Sequence, residues 1–175
     1  VRDKKRFNTE KYFSESLEVI EVNFLELSEN IQLPAGIDAA YYLIHSMSSG
    51  DSSFEELERR SAESFLEAAC RANIKQVIYL SGIVNEVTLS KHLISRRNVE
   101  NILSKGDYSL TTLRAGIIVG SGSASFEIIR DLVEKLPLMI APRWLNTRTQ
   151  PIAIRNVIEY LYGVLLRYET YGQSF

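Results

Sequence analysis

Asp38-Ala-Ala-Tyr-Tyr-Leu-Ile-His45 is a nearly continuous apolar run of strand length, the pattern that burial on both faces of a parallel sheet produces. It predicts a central strand. Downstream, Ser48 to Ser53 is a polar loop, and Ser52 or Ser53 followed by Glu55 and Glu56 supplies a helix start. Leu57, Ser61, Ser64, Phe65, Ala68 and Ala69 recur near helical spacing, and Asn73 marks the end of that helix before Gln76-Val-Ile-Tyr-Leu-Ser81 resumes strand character. The alternation continues. Residues 89–105 read as a helix closed by Lys105-Gly106, Tyr108 to Val119 contains a strand, and residues 124–136 form a helix stopped by Pro137. Thr149 to Ile154 is a short strand and Val157 to Tyr168 a closing helix. Upstream, Leu17 to Phe24 carries β-branched residues with partial alternation and reads as a strand, whereas Ser28 to Gly36 is too short for a stable helix. Strands alternating with helices imply right-handed crossovers and an α/β fold with a mostly parallel, doubly wound sheet.

The 175 residues make one domain's worth, 1–175, with no repeat or low-complexity linker. Hydrophobic residues at 45% and charged residues at 24% are ordinary globular usage, so a disordered chain is excluded. Twenty basic against 22 acidic side chains leave a net charge of −2, which gives no reason to expect nucleic acid as a partner. Two histidines and the single Cys70 form no zinc pattern, so no metal is expected; Cys70 reads as a small buried hydrophobe. No run approaches the roughly 18 to 20 uncharged residues of a membrane span. The expected location is the cytoplasm.

In such sheets ligands bind where the strands' carboxyl ends face an open crevice, so the loops after Phe24, His45, Ser81 and Ile118 carry the functional information. There the chain reads Leu43-Ile-His-Ser-Met47, Ile78-Tyr-Leu-Ser-Gly82, His92-Leu-Ile-Ser-Arg96, Leu113-Arg-Ala-Gly-Ile-Ile-Val-Gly-Ser-Gly-Ser-Ala-Ser-Phe126 and Thr147-Arg-Thr-Gln-Pro-Ile-Ala-Ile154. In this order the segments resemble the atypical short-chain dehydrogenase/reductase group, specifically its NmrA-like and nucleoside-diphosphate-sugar epimerase-like NAD(P)-binding members. The resemblance spans practically the whole chain and implies an NAD(P)-binding Rossmann fold. The group's glycine-rich turn between a first strand and helix is not among these residues; Gly120-Ser-Gly-Ser-Ala lies too far downstream and reads as a structural turn. Val1-Arg2 resembles the end of the group's second strand and Glu169 to Phe175 the start of a later one. The expectation is therefore a fold truncated at both ends, which on its own would hold a dinucleotide poorly.

The resemblance also implies roles. Arg2, at the end of the second strand, matches an arginine that meets the adenosine 2′-phosphate, assisted by Lys5 and Arg6, which favours NADP over NAD. A solvated basic terminus is the plainer alternative. Asn23 and Phe24 fall at the adenine edge, and Leu43, Ile44, His45 and Ser46 in the loop beside the ribose and nicotinamide half; His45 is assigned only to the cavity wall. Ala115, Gly116, Ile117 and Ile118 would form the wall under the nicotinamide. Residues 121–150, with Trp144 flanked by Arg143 and Arg148, would cover the substrate.

Catalytic members use Ser, Tyr and, four residues later, Lys. Ser81 matches the serine, but His92 stands in place of Tyr and Arg96 in place of Lys. His92 is then the candidate acid and Arg96 the ribose contact, with Ser81 orienting a carbonyl. The implied function is a nicotinamide-dependent oxidoreductase acting on a small carbonyl or quinone-like substrate. The altered pair keeps a second reading open, a non-catalytic dinucleotide-binding sensor or assembly protein that works through a protein partner.

Overall fold

The computed structural model describes residues 1, 3–7, 16–45, 54–83, 91–120, 124–135 and 150–175. Strands β1 (Ala39–Tyr42), β2 (Gln76–Gly82) and β3 (Ser109–Ala115) form one parallel sheet in the order β1-β2-β3. Tyr42 lies opposite Tyr79, and Tyr79 opposite Thr112. Helix α1 (Phe54–Arg71) connects β1 to β2, and α2 (Lys91–Leu103) lies between β2 and β3. Beyond β3, β4 (Ile118–Val119) pairs in parallel with β5 (Ile152–Ala153), with α3 (Ala124–Lys135) between them and α4 (Ile154–Gly163) after. The chain thus has the expected α/β architecture.

Successive β2 side chains alternate between two apolar layers. Val77 and Tyr79 join Tyr42, Ala62, Phe65, Ala69, Val99 and Leu103 under α1 and α2. Tyr42 meets Phe65 and Tyr79 edge-on, at ring separations of 4.9 and 5.9 Å. Ile78 packs on the other face with Leu113 and Val164, and Leu80, Leu161 and Leu165 close around them. Helix α1 begins with Glu55 and Glu56 and ends with Arg71, charges that suit its dipole. Asn73, at a φ of 53°, then turns the chain as expected.

Gln76 ties the far face together. Buried at the start of β2, it donates through Nε2 to Thr111 Oγ1 and to the Val164 carbonyl, at 2.9 and 3.0 Å, and accepts from the Leu166 N–H at 2.6 Å. The last residues then run beside β3. Thr112 donates to the Gln173 carbonyl, Phe175 to that of Thr112 and Arg114 to that of Phe175, giving a parallel bridge between Thr112 and Ser174. The tail, expected to begin a strand, makes a single bridge at Ser174 after the 3-10 turn Tyr168–Thr170.

Three expectations need correction. Among the described residues β1 is an edge strand and β2 the central one; Tyr41 and Leu43 are 39% and 55% exposed, so the apolar run is buried mainly through Tyr42. An edge and a central strand can share the same run when one face is aromatic. Leu17 to Phe24 is not a strand: among the described residues its backbone bonds are those of Ile20 and Val22 to Val1 and a turn from the Glu26 N–H to the Asn23 carbonyl, while Lys4–Arg6 form a 3-10 turn in which Asp3 caps Lys5 N. One residue of ladder does not make a strand. Helix α4 occupies Ile154–Gly163 rather than 157–168, because the chain leaves helical geometry before Leu166, whose φ is 53°.

Replacing Gln76 by Leu keeps the bulk but orphans the Leu166 N–H, at about 1–3 kcal/mol, whereas the Val164 carbonyl keeps the Arg167 N–H and the Thr170 hydroxyl. Urea unfolding of Gln76→Leu is expected to show a loss of roughly 1–3 kcal/mol. An unchanged midpoint would mean that the glutamine does not hold the C-terminal segment to the sheet.

Candidate functional site

The site is built at the carboxyl ends of the parallel strands. Val1 donates through its ammonium group to the Ile20 carbonyl at 2.7 Å and accepts from Val22 N–H at 2.8 Å, two bonds that flank Glu21 as in parallel pairing. That contact sets the 22–25 segment beside the end of β1. Val1, Val22, Asn23, Phe24, Leu25, Ile44, His45 and Ser61 line a cleft of about 300 Å³. Asn23 Oδ1 accepts from Leu25 N–H at 3.2 Å, and its Nδ2 donates to Glu26 at 3.4 Å. The amide therefore shapes its own turn and keeps one lone pair and one N–H for other partners. Leu43, exposed, projects from the opposite side of the chain to Ile44, as alternation requires.

A carboxylate that sequence reasoning did not single out lies behind the cleft. Glu58 of α1 is 3% exposed; Oε1 is 2.7 Å from His45 Nδ1, and Oε2 accepts from Ser95 Oγ at 2.6 Å. An uncompensated buried carboxylate would cost several kcal/mol, which these two partners offset. The signal was present in the sequence. Phe54, Glu58, Ser61, Ala62 and Phe65 share the buried stripe of α1, so a charged residue stood in an otherwise small or apolar row.

Further along the sheet edge, Ser81 is 4% exposed, and its Oγ has no hydrogen-bond partner of regular geometry among the described residues. Arg96 crosses above it: Nη1 donates to the Leu80 carbonyl and the Arg96 carbonyl accepts from Tyr79 Oη, both at 3.3 Å. Burial pushes the Tyr79 phenol up from its ordinary pKa, and Arg96 and Ser81 pull partly against it. Burial raises Tyr42 further. Both phenols stay protonated in the neutral range, which agrees with their packing role.

After β3 the backbone bends. Ala115 accepts from Ile83 N–H at 3.2 Å, and Ile117 from Ile152 N–H at 2.9 Å, while Ile118 pairs with Ile152. A Cβ on Gly116 would lie 2.3 Å from the Gln150 carbonyl oxygen, so only glycine lets the two backbones pass. Beside this bend a mostly apolar hollow of about 300 Å³ is lined by Leu80, Leu113, Ala115, Ile152, Val157, Tyr160 and Phe175, with Arg114 at its rim. A larger hollow, about 540 Å³, lies at the other end of the sheet, where Lys75 pairs with Asp38 and Arg71 donates to the Ser28 and Ile31 carbonyls. Its cations are already engaged.

The structure thus brings Asn23, Phe24, Ile44 and His45 to one cleft and sets Ser81 beside Arg96. Arg2, Ser46 and most of 121–150, including Arg143, Trp144 and Arg148, lie outside the described residues, as does the His92 side chain, although its backbone belongs to α2. Among the described residues no group of His, Cys, Asp and Glu could hold a metal ion, and no helix is long and apolar enough to cross a membrane.

The fold is similar to that of known solved structures. UDP-glucuronic acid 4-epimerase from Bacillus cereus, solved with UDP-glucuronic acid and NAD, superposes at a TM-score of 0.70 with 17% identity, over 95% of this chain and 62% of its own. The Bordetella bronchiseptica enzyme WbmG in complex with NAD matches at 0.61 with 11% identity, over 79% of this chain and 49% of its own. The oxidoreductase ylbE from Lactococcus lactis matches at 0.64 with 15% identity, over 91% and 70%. No protein-family model matches the sequence, and no curated protein matches it. At these identities the similarity shows the fold alone: a parallel sheet flanked by helices, the Rossmann-like fold of these solved structures. It spans about half to three-fifths of the length of the first two proteins named.

Tyr42, Tyr79 and Tyr108 hold their protons more tightly in the folded chain than the ordinary value of about 10, chiefly through burial. Their contribution to stability is therefore full below about pH 10 and is lost as pH rises beyond it. Ultraviolet titration of the folded protein at that pH is expected to fall short of the nine-tyrosine amplitude of the unfolded chain. Full amplitude without unfolding would show that the three rings are not buried as described.

Proposed function

We propose that this chain binds a nicotinamide dinucleotide, NADP in preference to NAD, across the carboxyl ends of β1–β3, as part of an oxidoreductase acting on a small carbonyl or quinone-like compound. The observation that carries this reading is the convergence, on one edge of a Rossmann sheet, of the 22–25 and 44–45 cleft with Ser81 and Arg96. A buried hydroxyl is normally paired, and among the described residues the Ser81 Oγ has no partner of regular geometry, which supports its availability to a bound group. The cleft's apolar lining, Val22, Phe24 and Ile44, suits a planar base, and its polar lining, Asn23, His45 and Ser61, suits a ribose.

Asn23, Phe24, Ile44 and His45 would then contact the adenosine half, with Leu43 and Ser46 flanking them, Ala115, Gly116, Ile117 and Ile118 would wall the nicotinamide, and Arg2 would meet the 2′-phosphate. A bound nicotinamide supplies or accepts the hydride. Ser81 orients the substrate oxygen by hydrogen bonding, Arg96 holds the ribose and contributes fixed positive charge, and His92 gives the proton that a reduced carbonyl oxygen needs. The 121–150 segment would cover the substrate. Nucleotide sugars are a further substrate class to screen, since MoeE5 is solved with UDP-glucose and WbmG with UDP.

The second reading, a dinucleotide-binding protein without turnover, is favoured by the His92 and Arg96 replacements. It shares the cleft and differs in consuming no cofactor.

Nicotinamide-fluorescence titrations with NADPH and NADH separate these ideas. NADPH is expected to bind more tightly, with Arg2→Ala weakening NADPH about tenfold, the scale of about 1.4 kcal/mol, and NADH much less. Arg96→Ala is expected to weaken both. Failure of either nucleotide to bind sinks the enzyme and the sensor together, whereas binding without oxidation of NADPH across a carbonyl and quinone panel selects the sensor.

A further inference from the structure

Glu58 has no role in the reading above, yet it is the one carboxylate among the described residues counted as buried. Its two oxygens point to different parts of the site. Oε1 engages His45 Nδ1 on the loop after β1, and Oε2 engages Ser95 on α2. His45 lines the cleft, with its side chain 28% exposed, and its ring meets Phe54 edge-on at 5.8 Å. Ser95 does not line that cleft, but it directly precedes Arg96, whose carbonyl and guanidinium are both bonded to β2. Three elements therefore meet on one buried side chain.

We propose that Glu58 is a positioning residue: one carboxylate oxygen fixes the His45 ring at the cleft and the other fixes Ser95 on α2, so that the cleft and Arg96 are held as one unit. An imidazole whose Nδ1 is engaged by a carboxylate has a fixed ring plane and a defined second nitrogen, Nε2, for a partner. The partner class is a ribose or phosphate oxygen of the dinucleotide, so the proposal rests on the dinucleotide reading. The alternative role for Glu58, filling space between α1 and α2, requires neither oxygen to have a particular partner.

The test is a double-mutant cycle on NADPH affinity, joined to nitrogen NMR of the imidazoles. Glu58→Met retains volume without the charge; Ser95 can then turn to its own helix carbonyls, and His45 can reach water. His45→Ala and Glu58→Met are each expected to weaken NADPH about tenfold, and the double variant no more than either single one. Ser95→Ala, remote from the cleft, is expected to weaken NADPH about threefold and serves if Glu58→Met does not fold. In the spectra, the His45 signals, assigned by their loss in His45→Ala, shift in Glu58→Met. Additive losses approaching a hundredfold, or His45 signals unchanged by Glu58→Met, overturn the proposal. If the unmodified protein does not bind NADPH, the dinucleotide reading fails on its own, and the His45 signals still decide whether Glu58 holds the ring.

Discussion

Strand β2 is paired on both edges and covered on both faces, and the rest of the structure is arranged by that double constraint. A strand in this position must be apolar in both alternating sets, and any polar group it carries must find a partner inside the protein. Val77 and Tyr79 meet α1 and α2, Ile78 and Leu80 meet the α4 side, and Gln76 meets its obligation with Thr111, Val164 and Leu166. At Ser81, one residue from the strand's end, the obligation is not met by a regular hydrogen bond among the described residues. Strand continuity thus delivers a buried hydroxyl to the edge of the sheet where an open α/β fold takes its ligands.

The buried polar groups divide according to their distance along that strand. At its start, Gln76 uses side-chain amide geometry to replace backbone pairing where the C-terminal segment approaches β3. Near its end, Glu58, His45, Ser95 and Arg96 form contacts that tie loop to helix and helix to strand. The first set locks secondary structure. The second holds the His45 ring, which lines a cleft, through the buried Glu58.

Much of the fold was legible because hydrophobic period and punctuation agreed. The run before Asn73, the run from Gln76 and the stop at Gly106 fix the α1-β2-α2-β3 order within a few residues. Burial at β1 was not legible, since Ala-Ala-Tyr-Tyr has the same apolar signal whether one face or both are covered, and Tyr41 is satisfied by its hydroxyl donating to the Leu161 carbonyl. Leu17 to Phe24 shows the opposite failure, strand-like residues that among the described residues pair in strand fashion only with Val1. For the site, strand-end loops could be located from sequence, and the group around Asn23, Phe24, Ile44 and His45 does meet. Glu58 could be found only by asking why a charge sat in the buried stripe of α1, a long-range question because its partners lie 13 and 37 residues away.

Arginine at position 96 constrains the chemistry more than any other residue here. Its guanidinium spends one N–H on the Leu80 carbonyl, leaving other donors in the fork. A lysine in this place could hand a proton on by shifting its pKa; arginine can hold and polarise but cannot relay. Tyr79 does not replace that function, because burial keeps its proton on and its hydroxyl is directed to the Arg96 carbonyl. A reduction carried out at this sheet edge therefore needs its proton from a separate group. His92, four residues before Arg96 in the sequence of α2, is the residue proposed above for that role.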